Sequence, residues 1–325
     1  MRRLRIGLLG ASKIALKNAI PTLIELKNQF EIVGVSGRDL NRTIEYCKKY
    51  DLKAYKSHED LLNEALDLVY ISLPNAFHYE WVMKSLNLGI NVVCEKSLGC
   101  NLIEVDSMIS LAKTKNRFLL EHFQFRFHAQ LTVLKTLLKE IGKIKSIRTS
   151  FCIPPFEDTN NIRYSKELGG GALLDNGVYV FQLGQQLLGN KLSVKFCDLQ
   201  FNNTIDISGN IVVFEEEMKV TIFGTFGFDH VYRCDLEVVG SKGRVFVDRI
   251  FTAPKDARII IKTEFQEGYN KIYKDCELEP DNQIVNLWKY VYDNFEDQDA
   301  KNREYDNCHL QANLIEQAIA HAEKK

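Results

Sequence analysis

The chain lacks any marked excess of one charge: 42 Lys and Arg stand against 43 Asp and Glu in 325 residues, a formal net charge of -1. Without a basic surplus there is no electrostatic footprint for duplex nucleic acid or an anionic membrane. The balance leaves room only for a local basic pocket around one phosphorylated ligand. Paired thiols are also missing. The eight cysteines, at 47, 94, 100, 152, 197, 234, 276 and 308, include no C-x-x-C pair, which excludes the usual spacing of structural zinc. Their scatter argues against a disulfide framework and for reduced, mostly buried thiols in a cytosolic protein. No apolar run approaches the ~18 residues that a membrane span needs. Met1-Arg2-Arg3-Leu4-Arg5 looks like the basic start of a signal peptide, but the apolar run from Ile6 to Leu9 breaks at Gly10 and is too short. A cytoplasmic location is expected, with no metal site, no membrane partner and no nucleic-acid partner. Internal repeats and low-complexity linkers are absent too.

What is present is an ordinary globular composition, 45% hydrophobic and 26% charged, long enough for two domains. Up to residue 121, short β-like runs alternate with helical patterns. Leu4–Leu9, Glu31–Ser36, Leu68–Leu73, Asn91–Glu95 and Phe118–Glu121 read as strands. Residues 14–27, 40–50, 77–88 and 101–115 read as helices. Ser57 with Asp60 resembles a capping box, and Gly89 suits a left-handed helix end. This alternation predicts a doubly wound parallel sheet, a Rossmann dinucleotide-binding domain over 1–121. From 122 to 325 the pattern changes to runs of strands between 146 and 263 with few helices, apart from 130–138 and 178–188. That predicts an α+β domain built on a mostly antiparallel open sheet with helices on one face. It would bind substrate and, through its sheet, a second copy of the chain as a homodimer or homotetramer. Helices over 283–295 and 308–323 finish the chain, the last of them free to pack back on the first domain.

Immediately after the first strand stand Gly10-Ala11-Ser12-Lys13-Ile14-Ala15. This is G-x-G-x-x-G/A with serine in the middle. The first glycine permits the tight turn, and the free N–H groups of the helix start face a pyrophosphate. Where NAD enzymes place an acid on the adenosine ribose, this chain reads Ser36-Gly37-Arg38. A missing carboxylate and a nearby guanidinium favour a 2′-phosphate, hence NADP(H) over NAD(H). Arg38 stacked on the adenine, or Asp39 on the ribose, is the rival reading.

Four further segments resemble one family. Leu73-Pro74-Asn75-Ala76-Phe77-His78 matches a P-N-x-x-H turn, and Glu95-Lys96 an E-K motif. Glu121 to His128 resembles E-x-F-x-x-R-F-H, and Gly169 to Tyr179 resembles G-G-G-A-L-x-D-x-G-x-Y. Together they are similar to the Gfo/Idh/MocA oxidoreductases over roughly the whole chain. Asn161-Ile162-Arg163-Tyr164, the triple glycine and Tyr179 are most similar to the nucleotide-sugar 3-ketoreductases of that family. The resemblance implies reduction of a 3-keto-6-deoxyhexose carried on a nucleotide, with NADPH.

Hydride delivery to a ketone creates an alkoxide, so an acid must supply a proton. Tyr179 is assigned as that donor and Lys96 as the group that orients substrate and cofactor. Asp175, four residues before Tyr179, is assigned to a sugar hydroxyl or to Lys96. By resemblance Leu73, Pro74, Asn75, His78 and Glu95 would line the cofactor beside Lys96, and Arg126, Arg163 and Tyr164 the substrate. One departure stands out: the family's proline after the lysine is Ser97 here. Alternatives are a sugar, polyol or dihydrodiol dehydrogenase working oxidatively, and a non-catalytic NADP(H)-sensing regulator.

Overall fold

A computed structural model describes residues 2–323 of the chain. They form two compact units. One is the chain up to His122 together with Ile284–His309, and the other is Phe123–Gln283 together with the chain from Leu310.

In the first unit the elements run β1 (Leu4–Leu9), α1 (Ile20–Glu25), β2 (Phe30–Ser36), α2 (Leu40–Lys48), β3 (Ala54–Tyr55), α3 (His58–Leu62), β4 (Leu68–Ile71), α4 (His78–Asn87), β5 (Asn91–Glu95), α5 (Leu102–Lys115) and β6 (Leu119–His122). A π-helical turn over Ala15–Ala19 precedes α1. The strands lie in the order β3-β2-β1-β4-β5-β6, every neighbouring pair parallel. β4 and β5 are buried at every position, as central strands covered on both faces must be, which is why they read as unbroken apolar runs. Side chains close the helix starts: Asp39 accepts the Arg42 amide (3.1 Å), Ser57 that of Asp60 (3.0 Å) and Asn101 that of Glu104 (2.9 Å). Strand order reverses between β1 and β4, and open α/β sheets bind ligands at the carboxyl ends beside such a point.

In the second unit follow α6 (Ala129–Glu140), β7 (Ile144–Cys152), α7 (Val178–Leu188), β8 (Leu192–Asn202), β9 (Ile205–Glu215), β10 (Val220–Gly227), β11 (Leu236–Gly240), β12 (Gly243–Val247), β13 (Ile259–Glu267) and β14 (Asn270–Leu278). The sheet order is β14-β13-β12-β11-β7-β10-β9-β8. Every pair is antiparallel except β7 with β10. Alternate residues such as Ile147, Ile211, Ile222, Val245 and Ile261 point into one core with Val180, Phe181 and Leu134 of the helices. β14 and the two-residue β3 were not anticipated. β14 is exposed along almost its whole length and offers no apolar alternation.

Two helices, α8 (Gln283–Asn294) and α9 (Gln298–Ala322), end the described chain. α9 begins ten residues before the expected start at Cys308, because its first turns bury polar groups. Lys301 Nζ donates to the Asn116 carbonyl (3.2 Å) and Oδ1 (2.9 Å), and Glu304 accepts from the Tyr290 hydroxyl (2.8 Å). Among the described residues no helix is long and apolar enough to cross a membrane. All eight cysteines are free.

Three histidines, His78 and His128 buried and His58 half-buried, tie the fold to pH. His128 caps α6 by accepting the Gln130 amide on Nδ1 (3.1 Å). His58 Nδ1 meets Ser36 Oγ at 2.7 Å, and His78 is wholly buried. Burial pulls all three below the ordinary value of about 6.5. The native state therefore binds fewer protons than the unfolded chain below that value, and stability falls as pH falls. Thermal unfolding at pH 5.5 is expected to give a lower midpoint than at pH 7.5. His128→Asn, which keeps the cap acceptor but cannot titrate, is expected to narrow the gap, and an unchanged gap contradicts the assignment of His128.

Candidate active site

The glycine turn is set by the approach of two strands. Gly10 sits at φ +107°, and a Cβ there would stand 2.8 Å from the Ser72 carbonyl oxygen. No other residue type accepts both conditions. Ser72, just past β4, donates its hydroxyl to the Gly10 carbonyl (3.0 Å) and meets the Ser12 hydroxyl at 3.0 Å. Ser12 in turn accepts the Ala15 amide (3.1 Å). Its side chain is thus turned into the fold instead of crowding a pyrophosphate. Lys13 and Ile14 are exposed where the helix opens, and helix-start amides have no acceptor within the helix. With Ala11 and Ser12 they present a donor cluster of the kind that binds a diphosphate.

At the end of β2 the three expected residues separate in role. Ser36 is fully buried, with its hydroxyl on His58, so it supports the sheet. A Cβ at Gly37 would overlap Thr43 Oγ1 and crowd the Ala11 Cβ at 3.1 Å, so no acidic side chain can stand there. Arg38 is exposed beside it. Asp39 caps α2 and is committed to that role. The dinucleotide turn, the side-chain-free position and the neighbouring guanidinium fit an adenosine carrying a 2′-phosphate.

Across the switch point, Leu73 and Pro74 lead into a 3-10 turn over Asn75–Phe77. His78 places Nε2 2.8 Å from the Leu73 carbonyl and Nδ1 2.7 Å from that of Ser97. Both ring nitrogens are therefore occupied, and His78 ties the turn after β4 to the one after β5. Burial outweighs the two carbonyls and Glu95, leaving a neutral ring that donates to one of them at a time. Glu95, expected at the cofactor, is turned into the unit. Its carboxylate accepts from the Tyr70 hydroxyl (2.5 Å) and lies 3.2 Å from His122 Nδ1. Burial, with Glu95 alongside, holds the Tyr70 phenol well above its usual value, so it stays a donor. Lys96 is half-buried at the end of β5. The Lys96–Ser97 peptide is cis although no proline is present. Leu98 N donates to Glu121 Oε1 (2.8 Å), so the chain after Lys96 is held from both sides.

The second unit carries the other assigned residues. The triple glycine is a packing device: Gly169 is left-handed (φ +71°), and a Cβ at Gly170 would overlap the Arg163 carbonyl. Gly170 and Gly171 donate to the carbonyls of Ser165 (2.9 Å) and Arg163 (3.0 Å). Next comes a π-helical turn, Leu173–Gly177, which carries Asp175 and leads into α7 with Tyr179. Wide π turns often mark functional positions. Asp175 pairs with Arg163 (Nε–Oδ2 2.6 Å), whose guanidinium also lies 4.9 Å from the Phe156 ring centre. Tyr164 stacks edge-on against Phe156 and Phe228, and its hydroxyl accepts the Phe156 amide (3.2 Å). Arg126 lies in the turn over Gln124–Phe127, 5.3 Å from the Phe127 ring centre.

Tyr179 is only 8% exposed. Four phenylalanines box its ring, Phe151 at 4.7 Å, Phe251 at 5.2 Å, Phe123 at 5.3 Å and Phe125 at 5.8 Å between centres. Such a box fixes the ring plane and hence the direction of the hydroxyl. Reasoning from sequence missed Ser72, Tyr70, Phe151 and Phe251, and it quoted Glu121 and His122 only as part of a motif without a site role. Phe123 and Phe125 lay inside a noted motif, but Phe151 and Phe251 are far apart in sequence and carry no local signal.

Known proteins resemble the chain in both units. A model described as oxidoreductase family, NAD-binding Rossmann fold, matches residues 4–123, and the GFO/IDH/MocA C-terminal domain matches 134–246. The dTDP-3,4-didehydro-2,6-dideoxy-alpha-D-glucose 3-reductase of Streptomyces antibioticus is 31% identical over 98% of this chain and 97% of its own. The protein of that name from Saccharopolyspora spinosa is 34% identical over 80% of this chain and 79% of its own. KijD10, a 3-ketoreductase from Actinomadura kijaniata solved with NADP and TDP-benzene, superposes with TM-score 0.92 at 27% identity, covering 98% of each chain.

Gly10→Ala would put its Cβ against the Ser72 carbonyl at a strained φ. It is expected to destabilise the chain by about 1–3 kcal/mol and to weaken dinucleotide binding at least tenfold. Wild-type affinity in a fluorescence titration would contradict the role given to this contact.

Proposed function

The chain belongs to the Gfo/Idh/MocA oxidoreductase family, and from that premise we propose that it is an NADPH-dependent reductase of nucleotide-linked 3-keto-6-deoxyhexoses. The observation that carries this is the combination of near-full-length similarity to sugar 3-reductases with intact Lys96, Asp175 and Tyr179. The glycine turn at 10–14 would hold the diphosphate, and Arg38 beside Gly37 the 2′-phosphate. Leu73, Pro74, Asn75 and Lys96 would border the nicotinamide ribose. When bound, NADPH supplies the hydride.

What remains is the work of this chain's own side chains. Reduction leaves negative charge on the ketone oxygen, and Tyr179 hands that oxygen its phenolic proton. The phenylalanine box keeps the hydroxyl pointed in one direction while this happens. Lys96 contributes a positive charge that stabilises the developing anion and orients the sugar. The clamps on Ser97 and Leu98 set where that ammonium stands. Asp175, paired with Arg163, offers an acceptor for a sugar hydroxyl. The solved forms of KijD10 include variants at a lysine and at a tyrosine, which lends weight to residues of these two types.

Lys96→Ala and Tyr179→Phe are each expected to lower kcat on dTDP-3,4-didehydro-2,6-dideoxy-glucose by about 10²–10⁴-fold while NADPH still binds. A regulator would bind NADPH and show no turnover even as wild type. Arg38→Ala is expected to weaken NADPH by about tenfold or more and leave NADH unchanged, and equal weakening of both would overturn the 2′-phosphate assignment.

The reading includes a homo-oligomer in the cytoplasm. Free thiols without a disulfide suit that compartment. A row across the open face of the second sheet runs Phe196, Val212, Phe223, Arg148, Glu237, Phe246, Lys262, Asp275. Phe223 and Phe246 are 46% and 37% exposed, and aromatic rings interspersed with charges of both signs suit a two-fold partner. Phe223→Glu is expected to lower the mass measured by light scattering to that of a monomer, and an unchanged oligomer places the interface elsewhere.

A further inference from the structure

Asp206 stands second in β9, just after a hairpin turn, and belongs to none of the sequence motifs. Its carboxylate nevertheless reaches the start of the helix that carries Asp175 and Tyr179. Oδ2 accepts the Leu173 amide at 2.6 Å, and the Ala172 amide also bonds to the carboxylate. The approach is so close that a Cβ on Gly171 would overlap Asp206 Oδ1, and Gly171 sits at φ +110°. The third glycine of the triplet is there to admit this carboxylate. A negative charge at a helix start is favoured by the unpaired amides and the helix dipole. Burial raises the Asp206 pKa overall, and the amides of Leu173, Asp206 itself and Ala172 pull against it.

We propose that Asp206 is a positioning residue for the proton donor: it anchors the first amides of the π turn, and so fixes where Asp175 and Tyr179 stand. Two contacts make the anchor specific to that pair. Asp175 N donates to the Gly171 carbonyl (3.1 Å), so the glycine packed on Asp206 is also the first link to Asp175. The ring of Tyr179 is held by its phenylalanine box, so the helix start is where a shift of the hydroxyl along the helix axis would be resisted. The proposal rests on Tyr179 being the donor.

A double-mutant cycle tests it. Asp206→Ala is expected to lower kcat on dTDP-3,4-didehydro-2,6-dideoxy-glucose at least about tenfold, since displacement by an ångström is enough to do so. The affinity for NADPH is expected to stay within about twofold, because the dinucleotide turn is untouched. Asp206→Asn, whose amide oxygen accepts the same N–H, is expected to restore most of the rate. In a Tyr179→Phe background, Asp206→Ala is expected to cause a much smaller further loss, the part that displacement of Asp175 accounts for. Should Asp206→Ala not fold, Asp206→Ser, one bond too short to reach Leu173, takes its place in the cycle. Wild-type kcat in the Ala or Ser variant, or a full additional loss in the Tyr179→Phe background, overturns the proposal. Wild-type kcat in Tyr179→Phe alone instead overturns the donor assignment on which it rests.

Discussion

The contact between Gly10 and Ser72 governs the dinucleotide half. β1 and β4 end side by side, and the chain can turn away from β1 only because position 10 has no side chain to meet the Ser72 carbonyl. Ser72 then bonds to both ends of the turn, to the Gly10 carbonyl and to the Ser12 hydroxyl. Once that turn is set, the amides of the following helix must open at the carboxyl end of the sheet. Gly37 repeats the principle one strand away, where Thr43 and Ala11 leave no room for an acid. The proposed preference for a phosphorylated ribose thus has a packing basis as much as an electrostatic one.

The assigned catalytic groups share a second pattern, in that each is held by residues that take no part in the chemistry. The chain on either side of Lys96 is fixed by Tyr70 and His122 on Glu95, by His78 on Ser97 and by Glu121 on Leu98. Tyr179 is fixed by four phenylalanines from three places in the sequence. Buried, hydrogen-bonded supports of this kind are what hold a side chain to the small tolerances that proton and hydride transfer need.

Much of this was legible in the residues, and what escaped did so for physical reasons. The alternation of apolar runs and helical periods gave the first sheet, since central parallel strands have no polar face. β14 escaped because an exposed edge strand has no buried period, and the start of α9 because Lys301, Glu304 and Tyr305 turn polar groups inward. The motif residues Lys96, Asp175 and Tyr179 stood out, but motifs do not say which way a side chain faces. Hence Glu95, Ser36 and His78 were read toward the cofactor, whereas their polar atoms are bonded within the first unit. Asp206 and Ser72 gave no signal at all, because their importance lies in what they touch across the sheet.

The step on which the proposed function turns is the passage of a hydride from NADPH to the C3 carbonyl of a nucleotide-linked deoxysugar. Supplying NADPH deuterated at the nicotinamide C4, with dTDP-3,4-didehydro-2,6-dideoxy-glucose, and locating the label in the product by NMR tests it most directly. Deuterium at C3 of the sugar is the predicted result. Deuterium at C4 of the sugar, or none in the product despite bound NADPH, would contradict it.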